Sequence, residues 1–205
     1  MFLTNTLIPS LNSSNSSVEL KILKRRACLI IDEWVSIKCS RENRIKIYDL
    51  LWNILQDTDK VLQLSVVKTL KIVIEEWDFR KEDFKAYSSF FVEKLITFLN
   101  EMDLIESKLF ILNCLNSLLE RNGSLIELNQ LNNLMEAYPS IWKYFEANYS
   151  ESLMTKNFLI RILNNLIKCF KNSKLKSHIS FEIIQSCCSY DSEFYNLLSQ
   201  DGFEL

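Results

Sequence analysis

The sequence predicts an all-α fold, built as an α-solenoid of stacked antiparallel helix pairs. Three observations predict it. Glycine and proline are scarce, with 2 of each in 205 residues. Sheet proteins consume these residues in tight turns, so their scarcity favours long helices with few connections. Apolar residues also recur at helical spacing, as in Ile47, Leu50, Leu51, Ile54 and Leu55, and again in Leu62, Val66, Leu70, Val73 and Trp77. Between those two runs stands a single break, Asp57-Thr58-Asp59. Aspartate is a poor interior helix residue but a good N-cap, because its carboxylate accepts from the free N–H groups of the next turn. The acids therefore end one helix and start another, making a corner.

The elements follow in order. Phe2 to Leu11 reads as the tail of a helix, and Asn12 to Ser17 as a loop. Ser16 with Glu19 fits a capping box, so a helix is expected from Val18 to near Cys39. Ser40 opens a helix over 41–56, and its partner spans 60–77. "DFRKEDF" is a connector to a helix over 82–101, rich in Phe84, Tyr87, Phe90, Phe91, Leu95 and Phe98. Asp103 breaks that helix, and 104–121 forms its partner. Gly123, in "RNGS", stands where a helix C-terminal cap is expected. A helix over 125–147 follows, which Pro139 should kink or split. Helices over 152–171 and 174–188, and a last one from Ser192 that is still running at Leu205, complete the series. First helices start near Arg41, Glu82, Leu125 and Lys174, a period of roughly 40–50 residues, as in stacked two-helix repeats. One array of five pairs is expected, over 1–39, 40–78, 79–122, 123–172 and 173–205. Each pair is too apolar to stand without neighbours.

Composition narrows the function. Hydrophobic residues make up 48% and charged residues 24%, as in ordinary globular chains, and the net charge of −2 provides no field to draw in nucleic acid or anionic lipid. No apolar run reaches the ~18 residues of a membrane span, and "MFLTNTLIPSL" does not read as a secretory signal. The 6 cysteines include no C-x-x-C pair, and one histidine, His178, cannot complete a Cys/His zinc set. Reduced thiols and no metal are expected. An enzymatic reading lacks parts: Gly123 and Gly202 are isolated, so no glycine-rich loop cradles phosphate, and no nucleophile, base and orienting group can be named together. No catalytic residue and no cofactor are expected. The run Lys24-Arg25-Arg26 could touch nucleic acid. On a helix its members point in different directions, so it reads better as a solvated flank, with Arg26 reaching a neighbouring carboxylate.

"ILQDTDKVLQLSVVKTL" resembles the HEAT repeat, with Asp57, Asp59, Val61 and Leu70 matching its turn and second helix. Two positions depart: Gln63 stands where an arginine is usual, and Val67 where an alanine is. The first departure puts in question the Asp–Arg ladder that ties neighbouring repeats. "KRRACLIIDEWVSIK" followed by "YDLLWNILQDTDKVLQLSVVKTLKIVIEEWDF" is similar to the middle of importin-11-type karyopherins, of the importin-β family. The similarity continues through "LLERN", "YPSIWKYF" and "DGFEL". It implies a central segment of a longer nuclear transport receptor, cut within a helix at each end. It also implies partners: cargo proteins, the GTPase Ran (mainly through repeats outside this segment) and Phe-Gly nucleoporins. Neither direct nucleic-acid binding nor membrane insertion is implied, and residence is expected in both cytoplasm and nucleus. A HEAT-repeat scaffold of a non-transport complex is the alternative.

In this family the second helix of each pair lines the concave, partner-gripping side. Spacing then selects candidate contacts: Lys21 and Arg25; Lys68, Lys71 and Glu75; Asn113, Ser117 and Glu120; Asn157, Arg161, Asn164 and Lys168. Basic residues dominate near the start, acids from 101 to 151, and only bases occur from 156 to 176. These zones could select partners by charge or be ordinary solvated faces. The aromatics Phe84, Tyr87, Phe90, Phe91 and Phe98 could likewise form a groove for Phe-Gly repeats or simply pack the core.

Overall fold

A computed structural model of the chain describes residues 11, 17–37, 39–149 and 153–170. The described residues form seven α-helices and no strand, which is the expected all-α class. They are α1 (Val18–Ile37), α2 (Arg41–Leu55), α3 (Lys60–Glu75), α4 (Lys81–Glu101), α5 (Ile105–Asn122), α6 (Leu128–Tyr149) and α7 (Leu153–Cys169). The expected helices at 2–11, 174–188 and from Ser192 lie outside the described residues, apart from the buried Leu11. The chain divides into two compact units, Met1–Arg121 and Asn122–Leu205.

In the first unit, local chemistry sets the corners. Ser17 Oγ accepts from the Leu20 N–H at 3.3 Å, so the capping residue of α1 is Ser17, one place beyond the expected Ser16. Ser40 caps α2 through the Asn43 N–H. Asp59 caps α3 by accepting from Leu62 N–H at 3.0 Å, while Asp57 Oδ1 accepts from Asp59 N–H at 3.1 Å. Both acids therefore work inside the corner, as their spacing suggested.

Stacking then follows a regular scheme. α2 and α3 pack as a pair, α1 lies against α3, and α2 lies against α4. First helices thus neighbour first helices, and second helices neighbour second helices. The core runs through Ile31 and Val35 of α1, Ile47, Leu51 and Ile54 of α2, Leu62, Val66, Leu70 and Val73 of α3, Phe84, Phe91 and Leu95 of α4, and Leu115 and Leu118 of α5. Complete burial of a side chain of this kind is worth about 1.5–3 kcal/mol, so packing rather than helix propensity holds the unit together.

One expected core residue is not in the core. The stripe 66, 70, 73 points on to Trp77, yet α3 ends at Glu75 and Trp77 is 87% exposed. Glu76 leaves the helix with φ −58 and ψ 144, and the turn closes with Phe79 N–H donating to Glu76 O at 3.1 Å.

In the second unit, a 3-10 turn (Gly123–Leu125) precedes α6, which packs on α7. Pro139 lies inside one continuous helix and does not split it. Leu134, Tyr138, Trp142 and Phe145 are buried on either side of the proline, and Tyr138 Oη donates to Leu159 O at 2.8 Å. These contacts hold both halves of α6 against α7. Gly123 is present for a reason other than a left-handed cap. A Cβ built on it would fall 2.1 Å from Cys169 Sγ, so a larger residue there would force that thiol at the end of α7 to shift.

Candidate functional site

The candidate contacts of the first unit lie on the second helices α1, α3 and α5. The structure engages several of them within the protein: Lys71, Glu75 and Ser117 with one another, and Lys21 and Lys68 with aspartates of the neighbouring repeat. Lys21 Nζ is 3.4 Å from Asp59, and Lys24 Nζ is 3.3 Å from Asp57. Lys68 pairs with Asp32 at 3.6 Å, joining α3 to α1. Lys71 pairs with Glu75 at 2.7 Å, and Ser117 Oγ of α5 donates to the same carboxylate at 2.7 Å. Arg121 donates to the carbonyls of Glu75 and Glu76 at 2.8 and 3.2 Å. Arg25, Asn113 and Glu120 are exposed. In the second unit, Arg161 and Lys168 are exposed on α7, and Asn157 and Asn164 are half-buried.

The ladder between repeats exists, with different donors. Gln63, which replaces the usual arginine, turns inward and donates to Asp57 O at 2.6 Å within its own corner. The cations come instead from the preceding second helix, as Lys21 and Lys24. Lys60 extends the chain of contacts to the next corner by donating to Glu101 O at 2.8 Å. In the basic run it is Lys24, not Arg26, that reaches a carboxylate; Arg26 is exposed.

Protonation behaviour follows these contacts. The Leu62 N–H at the cap holds Asp59 below the usual carboxylate range, with further help from Lys21. Burial pushes Asp32 upward against the opposing pull of Thr69 and Lys68. For Glu75 burial also opposes ionisation, but hydrogen bonds from Lys71 and Ser117 outweigh it and lower the value. Burial raises Cys28 to about 12 and Cys169 to about 11, so both are protonated packing thiols at neutral pH.

The first-helix side is tied differently. Arg41 forks onto Asp83, with Nε to Oδ2 at 2.8 Å and Nη2 to Oδ1 at 2.5 Å. Arg44, buried in α2, binds Asp78 and donates to Val73 O at 3.4 Å. Of the five aromatics singled out in the sequence, Phe84, Phe91 and Phe98 are core. Tyr87 and Phe90 are half-buried and meet Trp52, whose ring stacks on Phe90 at 3.7 Å. The sequence reading missed Trp52, although its spacing from the buried Tyr48 and Leu51 places it on the flank of α2.

Among the described residues no group of His, Cys, Asp and Glu is placed to hold a metal ion. Nor is any described helix long and apolar enough to cross a membrane.

Helix pairs stacked like on like, with capped acidic corners joined by a cationic ladder, define a protein of the HEAT-repeat, α-solenoid class. No family model matches the chain. Individual proteins do match it. The chain is 33% identical over 207 residues to importin beta-like protein KAP120 of Saccharomyces cerevisiae, covering 99% of the chain and 20% of that protein. It is 26% identical over 201 residues to importin-11 of Homo sapiens, covering 98% and 20%, and 18% identical over 209 residues to importin beta-like protein kap113 of Schizosaccharomyces pombe, covering 100% and 21%. The chain therefore spans about a fifth of the length of these relatives. Along that length it is similar to members of the importin-β (karyopherin) family.

Proposed function

We propose that the chain is a segment of a nuclear transport receptor that binds cargo proteins in Ran-regulated import. Its similarity to importins from end to end carries this reading. In each unit the second helices present the cargo-binding face. Arg25, Asn113 and Glu120, with Asn157, Arg161, Asn164 and Lys168, make the direct contacts. Lys21, Lys68, Lys71, Glu75 and Ser117 hold the shape of that face through the pairs described above and border the contact. Ran is engaged mainly through repeats beyond this segment. Phe-Gly nucleoporins bind the surface aromatics Trp52, Tyr87 and Phe90. The segment acts by shape and needs neither a cofactor nor a catalytic group. As part of such a receptor it shuttles between cytoplasm and nucleus.

Titrating the chain with a Phe-Gly nucleoporin peptide tests the reading. Binding that is lost in Trp52→Ala and Phe90→Ala supports a transport receptor. Absence of binding favours the alternative, a HEAT scaffold of a non-transport complex. A pull-down with Ran provides a second check: tight, nucleotide-dependent capture by this chain alone would contradict the assignment of Ran contacts to other repeats.

A further inference from the structure

Trp77 stands where the buried stripe of α3 should continue, and it is in water. At 87% exposed it is the most solvent-exposed of the large apolar residues described. An indole left there forgoes the gain of taking its large apolar surface out of water. Its mount is nonetheless fixed on several sides. Asp78, next in sequence, is clamped by the buried Arg44. The Phe79 ring packs on Phe84 at 5.7 Å between centroids. Arg121 reaches from α5 to hold the carbonyls of Glu75 and Glu76. The side chain therefore projects from a corner that has little freedom left to lose.

We infer that Trp77 is an anchor for a protein partner that offers an apolar cleft with a carboxylate at its edge. Three arguments specify that partner. Tryptophan carries more binding energy per residue than most side chains once enclosed, and a pre-fixed anchor loses little entropy on capture. The indole N–H needs an acceptor when buried, so the cleft must supply one. The charges left around the anchor are positive on balance. Glu75, Asp78 and Asp83 are taken by Lys71, Arg44 and Arg41. Arg80, Lys81 and Arg121 then outnumber Glu76 and Glu82, which makes a carboxylate the matching acceptor. The site lies on the corner between α3 and α4, beyond the end of the candidate stripe at Glu75, and does not depend on the proposed transport role.

Panning a random peptide library displayed on phage against the whole chain, with binding then measured by fluorescence anisotropy, tests the assignment. Trp77→Ala removes the anchor, and its circular dichroism and melting should match wild type because the side chain stands almost wholly in water. Enriched peptides should combine large apolar residues with Asp or Glu. They should bind Trp77→Ala about tenfold or more weakly, as losing one central anchor requires, and bind Arg80→Ala/Lys81→Ala several-fold more weakly. Peptides that bind Trp77→Ala as tightly as wild type would overturn the inference. So would self-association of the free chain in sedimentation that Trp77→Ala abolishes, since the residue would then serve a second copy.

Discussion

Removing Asp78 should damage the first unit more than removing its partner Arg44. The guanidinium of Arg44 is 3% exposed, whereas the Asp78 side chain is 29% exposed. Asp78→Ala strands a buried cation, leaving it beside Val73 O, at 3.4 Å, and the Tyr48 hydroxyl. Stranding a buried charge costs about 3–5 kcal/mol. Arg44→Met keeps the apolar stem and leaves a carboxylate that water can reach. Its cost is that of a charged hydrogen bond, about 1.5–3 kcal/mol. The double variant strands nothing and should be more stable than Asp78→Ala alone. Urea unfolding followed by tryptophan fluorescence in a Trp142→Phe background would report on the first unit, where the other tryptophans lie. With a slope of about 2 kcal/mol/M, Asp78→Ala should lower the midpoint by roughly 1.5–2.5 M and Arg44→Met by roughly 1 M. Equal losses for the two single variants, or a double variant whose loss is their sum, would refute the reasoning.

Three further outcomes are expected. Gly123→Ala places a Cβ 2.1 Å from Cys169 Sγ and should destabilise the second unit by about 1–3 kcal/mol, an overpacking cost that Cys169→Ala relieves in a double-variant unfolding cycle. Asp32 has a raised folded-state pKa, so its contribution to stability is present at low pH and is lost as pH rises through that value. Asp32→Asn should therefore gain on wild type as pH increases above the ordinary carboxylate value of 3.8, read as melting temperature against pH. In a Cys187→Ser/Cys188→Ser background the remaining thiols, all raised by burial, should react slowly with Ellman's reagent, the fully buried Cys114 slowest.

How much was legible depended on how local the cause was. The corner at 57–59 could be read because an aspartate cap acts on N–H groups within one turn. The aromatic helix α4 was half legible: Phe84, Phe91 and Phe98 recur every seventh residue and are core, while Tyr87 and Phe90 fall on the flank. Lys24 shares a stripe with Cys28, Ile31 and Val35, so the phase that turns it toward α3 is present in the pattern, though the two arginines beside it follow a different phase. Trp77 could not be placed from periodicity. Its exposure depends on where α3 stops, and the clamp of Arg44 on Asp78 and the packing of Phe79 on Phe84 set the backbone there. Those partners are distant in sequence. Gly123 follows the end of α5, as its place in "RNGS" suggested, but its close approach to Cys169 was not legible for the same reason: that atom lies at the end of another helix.

The two sides of the first unit differ in stiffness, and this bears on how a gripping surface would work. Between first helices the ties are directional. Arg41 forks onto Asp83, Tyr87 Oη donates to Asp49 at 2.5 Å, and Trp52 stacks on Phe90. A planar guanidinium fork and a stacked ring pair both resist sliding. Between the second helices α1 and α3 the polar ties are lysine ammonium groups at 3.3–3.6 Å and one long hydrogen bond, from Thr69 Oγ1 to Cys28 O at 3.4 Å. An ammonium is a point charge on a flexible stem, and partly exposed pairs of this kind contribute only about 1 kcal/mol or less. They can lengthen and re-form without a steep cost. Bending should therefore pivot on the first-helix side and open or close the second-helix face. Nitroxide pairs on exposed positions can measure this, one joining Arg25 of α1 to Val61 of α3 and another joining Asn53 of α2 to Glu93 of α4. The distance distribution should be broader for the α1–α3 pair and should broaden further as added salt screens the lysines. Equal widths, or a broader α2–α4 distribution, would show that the arginine and aromatic ties do not act as the pivot.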